Sequence, residues 1–135
     1  YDGSCEGILV GGNLSLIIST LGTEYEIDTK NKILFIEEVG EFTYKIDKML
    51  NHLQMAGKFD ECIGIIFGEF TNCHKAFKND DGILNILEEI AMKNKKPTLC
   101  NLKSGHCIPM VTIPLGMVCH MNSCNKTIII NRKEG

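Results

Sequence analysis

Between Lys32 and Glu41 the chain reads K-I-L-F-I-E-E-V-G-E. An unbroken run of four large apolar residues, Ile33 to Ile36, marks a strand covered on both faces, because a half-wet strand would alternate. The run ends abruptly in acids, and from Glu41 to Ala56 the pattern becomes helical. Tyr44, Ile46, Met49, Leu50 and Leu53 trace an apolar stripe, Lys45, Asp47, Lys48 and Asn51 face water, and Gly57 ends the element. A buried strand feeding an amphipathic helix is the unit of an α/β protein. It also puts Glu37 or Glu38 at the mouth of the strand, in the crevice where open sheets hold their ligands. The same acids would equally serve the start of the following helix, whose macrodipole favours negative charge.

The remaining chain supplies partners for that strand. Glu6 to Val10 reads as a short strand entering a turn at Gly11-Gly12-Asn13, followed by a helix capped by Asn13 and closed at Gly22-Thr23. Tyr25-Glu-Ile-Asp alternates, and Thr29 to Lys32 offers a turn, so Tyr25 to Ile36 is expected to form a hairpin. Glu61 to Gly68 is a second buried strand, and Thr71 to Asn79 a loop. A helix follows from Asp81 to about Lys93, capped by Asp80 or Asp81, with Ile83, Leu84, Leu87, Ile90 and Ala91 inward and Pro97 at its exit. Thr98 to Leu102 and Met110 to Leu115 read as extended, with a loop around Gly105-His106 between them. Met117 to Met121 and Thr127 to Ile130 form a closing hairpin.

A length of 135 residues fits one domain with its own core, and no apolar run approaches membrane-spanning length. The chain opens at Tyr1 with neither an initiator Met nor a secretory signal, and an excised domain or processed product is expected. A net charge of −3 argues against a nucleic-acid-binding domain, which needs a clustered basic surface. The cations Lys93, Lys95 and Lys96 fall where a helix dipole would attract them. Seven cysteines, an odd number without a C-x-x-C pair, mostly alternate with apolar residues inside strands. Reduced thiols there act as small hydrophobes, which points to a reducing cytoplasm.

Candidate chemistry concentrates at His106. His52 lies on the solvent side of its helix, His74 in an irregular loop and His120 within a strand. Only His106 follows a glycine in a loop beyond a strand end. A histidine acts as general base when an acid fixes its tautomer, and Glu37, at the end of another strand, could supply that acid. A nucleophile is missing: the serines at 4, 15, 19, 104 and 123 lack a nucleophile-elbow context, and Cys107 would point away from its neighbour His106 in extended chain. Zinc held by His106, Cys107, Cys119 and His120 matches no known ligand spacing. An anion site at Gly11-Gly12-Asn13 lacks both the dinucleotide fingerprint and the P-loop lysine.

The blocks L-V-G-G-N-L-S, Gly22-Thr23, K-I-L-F-I-E-E-V-G-E with Tyr44, Ile46, Asp47 and Met49-Leu50, I-I-F-G-E-F, S-G-H-C and I-P-L-G occur in this order over nearly the entire chain. In this combination the chain resembles the C-terminal domain of the LD-carboxypeptidases, a family of serine peptidases that also includes the microcin-immunity proteins. With the element count, the resemblance implies an α/β fold: a small mixed, partly barrel-like sheet of about six to seven short strands, about two main helices and a short N-terminal helix. It implies a Ser-Glu-His triad divided between two domains, with Glu37 as its carboxylate, His106 as its base and the serine on an N-terminal domain outside this chain. Glu38 and Glu41 then keep the role at the helix start. Lys103-Ser104 departs from the more usual hydrophobic or aromatic lead-in to the histidine. The implied substrate is the L,D-bond of murein tetrapeptide, cleaved in cytoplasmic cell-wall recycling to release D-alanine without metal or cofactor. Family members commonly pair, so a homodimer is an expected partner state. The microcin-immunity branch, acting on an aminoacyl-nucleotide analogue, is the alternative within the family. The absence of Trp for stacking on a base tilts against it. A non-enzymatic anion-binding module is the alternative outside the family.

Overall fold

The computed structural model describes residues 1–79 and 81–130. The elements in chain order are β1 (Ser4–Asn13), α1 (Leu14–Thr20), β2 (Ile33–Val39), α2 (Thr43–Met55), α3 (Lys58–Glu61), β3 (Gly64–Thr71), α4 (Ile83–Asn94), β4 (Thr98–Leu99), β5 (Val118–Asn122) and β6 (Thr127–Ile130). The strands form one mixed sheet in the order β4-β3-β2-β1-β5-β6. Its first four strands run parallel, and the β5–β6 hairpin adds to β1 antiparallel. The sheet curls into a half-barrel.

β2 lies at the centre, and its alternation sorts the core into two layers. Leu34 and Ile36 face the helices and pack with Leu14, Ile46, Leu50, Leu53, Leu87 and Ile90. Ile33 and Phe35 face the concave side with Leu9, Ile66, Cys119 and Met121. Covering both faces of the run removes all four side chains, Ile33 to Ile36, from water, as an unbroken apolar strand requires.

Several expectations are corrected. The hairpin from Tyr25 to Ile36 does not form, because both edges of β2 are taken by parallel neighbours. The segment before β2 is instead a crossover, fastened by an ion pair of Glu26 to Lys58 at 2.5 Å and by Thr29 donating to the Lys58 carbonyl at 2.9 Å. Gly11 and Gly12 make no tight turn and continue β1. At Gly11 (φ +136°) a side chain would lie 1.8 Å from the Phe35 carbonyl oxygen, so this glycine lets two strand backbones pair closely. On α2, Tyr44 is exposed and Thr43 is buried in its place; on α4, Leu84 is exposed and Ile86 is buried. Gly82 occupies the N-cap of α4 without a side-chain bond, so Asp81 is not its cap, and Asp80 lies outside the described residues. Met110 to Leu115 forms no strand, and β4 stops at Leu99. Lys96 does not serve its own helix, since its ammonium donates to the carbonyls of Phe59, Asp60 and Cys62 around the end of α3.

Three local expectations hold, the cap of α1, the glycine after it and the closing hairpin. Asn13 caps α1 by accepting from the Leu16 amide at 3.2 Å, and Gly22 follows the helix with φ +78°. The closing hairpin forms, and the seven cysteines are all free.

Candidate active site

Glu37 is buried at the end of β2, on the concave side of the sheet. Its Oε2 lies 2.8 Å from Nδ1 of His106, whose side chain is 56% exposed. A carboxylate only accepts, so Nδ1 carries the hydrogen and Nε2 keeps its lone pair in the neutral ring. The hydrogen bond and the negative charge of Glu37 both stabilise the imidazolium and raise the His106 pKa above its ordinary value. The arrangement can therefore accept a proton at Nε2 and return it.

The loop carrying His106 is hung on β3. Between Ile36 and Glu38 on β2, the β3 partners jump from Phe67 to Phe70, which is a bulge of one extra residue at Gly68-Glu69. The bulge frees backbone groups for the loop. Leu102 donates to the Phe67 carbonyl at 3.2 Å, and Glu69 donates to the Ser104 carbonyl at 3.0 Å. A side chain at Gly68 would lie 2.6 Å from that Ser104 oxygen. Lys103 adds an ion pair to Glu69 at 2.7 Å, so the unusual Lys103-Ser104 lead-in ties the loop to the bulge through both residues. Gly105, at φ +123°, then passes so close to Glu37 that an added Cβ would be 2.7 Å from Oε2.

Glu38 points the other way and does not act at the start of α2. Its Oε2 accepts from the Ser15 amide at 2.8 Å and the Ser15 hydroxyl at 2.6 Å. Its Oε1 accepts from Asn13 Nδ2 at 2.8 Å and the Val39 amide at 2.9 Å. Burial pushes its pKa up, but these hydrogen bonds outweigh burial and leave it lowered. The signal for this residue is parity: Glu38 continues the helix-facing series Leu34 and Ile36. Glu41 stays near the start of α2 and pairs with Lys45 at 3.2 Å.

Two sequence candidates are dismantled by this geometry. The start of α1 already holds an anion, the Glu38 carboxylate, so Gly11-Gly12-Asn13 offers no vacant anion turn. The residues weighed as zinc ligands are not assembled. Cys119 is buried in the concave core, and its neighbour His120 pairs with Glu6 at 2.8 Å. Among the described residues, no group of three His, Cys, Asp or Glu side chains is placed to hold a metal ion. Nor does any described serine hydrogen-bond to His106: Ser15 serves Glu38, Ser19 the Leu16 carbonyl, and Ser123 the carbonyls of Tyr1 and Gly3.

The curled α/β half-barrel is that of a carboxypeptidase domain. Residues 6–121 match the LD-carboxypeptidase C-terminal domain, and the chain belongs to that family. It is 44% identical, over 95% of its length, to a probable murein peptide carboxypeptidase of Bacillus subtilis, and it spans 40% of that relative. It is 29% identical to the microcin C7 self-immunity protein MccF of Escherichia coli over 97% of this chain and 38% of the relative. Among solved structures, wild-type MccF in its apo state superposes with a TM-score of 0.86 at 27% identity, covering 98% of this chain and 40% of MccF. The muramoyltetrapeptide carboxypeptidase from Oxalobacter formigenes gives 0.84 at 28% identity, covering 95% of this chain and 45% of that one. The chain thus spans about two fifths of the length of these relatives. Among the described residues, no helix is long and apolar enough to cross a membrane.

Proposed function

We propose that this chain is the acid–base half of a serine-type LD-carboxypeptidase that cleaves the L,D-bond of murein tetrapeptide in cytoplasmic cell-wall recycling. The observation that carries the reading is the 2.8 Å Glu37–His106 pair, with the imidazole half exposed and no described serine hydrogen-bonded to it. A serine on an N-terminal domain attacks the peptide carbonyl while His106 Nε2 takes its hydroxyl proton. Glu37 holds the ring and stabilises the imidazolium. The same proton passes to the leaving amine of D-alanine, and water then hydrolyses the acyl-enzyme, His106 again acting as base. No metal or cofactor takes part, and the active protein forms a homodimer.

The test is turnover of murein tetrapeptide by the full-length protein. Glu37→Ala and His106→Ala are each expected to lower kcat by about 10³- to 10⁴-fold, with circular dichroism and thermal unfolding little changed. Near-parental turnover in either folded variant removes that residue from the triad.

A microcin-immunity-type activity is the second reading, favoured by one feature. Phe42 and Tyr44 stack with ring centroids 6.1 Å apart, Phe77 lies 6.4 Å from Tyr44, and all three rings are exposed, a platform on which a nucleobase could stack. Faster hydrolysis of an aminoacyl-sulfamoyl nucleoside than of murein tetrapeptide, lost on Phe42→Ala, would select this reading.

A further inference from the structure

We propose that Glu38 is a positioning residue of this site: its carboxylate ties the end of β1, the start of α1 and the end of β2 together, so that Glu37 is held against His106. The proposal rests on the assignment of Glu37 and His106 made above. The need for such a tie is visible in the sheet. On one side of β2, Glu37 is paired with Asn13 of β1. On the other side the β3 bulge skips it, so the backbone at Glu37 is gripped by a single neighbour. Glu38 compensates at that point, since it bonds the Asn13 side chain, the first turn of α1 and the Val39 amide with both oxygens filled.

The chemistry demands a carboxylate of this length. Glu38 is 2% exposed and meets four donors and no acceptor. A glutamine would turn its NH₂ toward one donor pair, against the Val39 amide on one side or the Ser15 amide on the other, with one buried N–H left unpaired. An aspartate keeps the charge but is one methylene short of spanning Asn13 and Ser15 together.

The test reads His106 directly, by ¹⁵N NMR of the imidazole in the 135-residue chain at a pH above its titration. The parent is expected to hold the Nδ1–H tautomer, and Glu37→Ala to release the ring to the Nε2–H form. If Glu38 positions Glu37, then Glu38→Asp shifts the ring toward the Nε2–H form although its charge is kept, and Glu38→Gln does the same. In the full-length protein, Glu38→Asp should lower kcat by about 10- to 100-fold at unchanged KM. Retention of the parental tautomer in both Glu38 variants, with its loss in Glu37→Ala, overturns the proposal and leaves the catalytic pair standing. Retention in Glu37→Ala overturns both. Should the Glu38 variants fail to fold, Ser15→Ala replaces them. It deletes one donor to Glu38, and a partial tautomer shift supports the proposal while an unshifted ring overturns it.

Discussion

Gly105 sits where a side chain has no room and no suitable backbone conformation. Gly105→Ala is expected to strain the left-handed backbone by about 1–3 kcal/mol and to push Glu37 off the imidazole, lowering kcat of the full-length protein. Gly40→Ala is the control: φ is +73° and the space around the added Cβ is open, so only the conformational cost remains. Urea unfolding should show both changes, and turnover only the first. The raised His106 pKa has two consequences of opposite sign. As a base the ring must be neutral, so kcat/KM should climb with pH through a midpoint above the ordinary imidazole value of about 6.5. Its contribution to stability is full below that ordinary value and is lost as pH rises through the raised one. A pH–rate profile with its midpoint at or below about 6.5 would contradict the pairing in the working enzyme. At this scale the sequence was informative in part. Glu37 stands out because a continuous apolar run ends on it, and His106 because a glycine and a loop surround it. Glu38 was misplaced because its partners lie 23 and 25 residues earlier, and nothing local announces them.

The elements depend on burial and on close backbone approach in different proportions. Leu50 is fully buried between α2 and the sheet, so Leu50→Ala should cost about 2–5 kcal/mol in chemical denaturation. Gly11→Ala should be worse, because its Cβ meets backbone of β2, which has no rotamer to offer. A Gly11→Ala chain as stable as the parent in the same experiment would mean that β1 can shift relative to β2. The amphipathic helices and both buried strands were legible because their periodicity is set by the layer that covers them. The Tyr25 to Ile36 hairpin was not, since alternation shows that a strand could form but not that both neighbouring edges are already occupied. Tyr44 and Leu84 were assigned inward because hydrophobicity alone does not say where a helix leaves the sheet.

As a whole, the molecule holds the Glu37–His106 pair in a packed frame, and no described serine hydrogen-bonds to the imidazole. The chain alone should therefore release no D-alanine from murein tetrapeptide. Robust turnover by it, abolished by His106→Ala, would show that the nucleophile lies within these residues after all. The resemblance implied a mixed sheet, but its strand order could not be read in advance, because it depends on the β5–β6 hairpin returning to β1 rather than to β4. One consequence follows from the single step between Glu37 and Glu38. Neighbouring residues of one strand face opposite sides of the sheet, so the Glu37–His106 pair and the Glu38 cluster are separate compartments divided by the thickness of a backbone. Substitutions at the helix layer away from Glu38 and its partners can alter folding while leaving the surroundings of His106 intact. Changes at the exposed loop positions Ile108, Met110 and Val111 can alter the surface near His106 without disturbing the core. Such a domain can diversify its substrates at little risk to its fold, and one inserted residue in β2 would exchange the two compartments and destroy both.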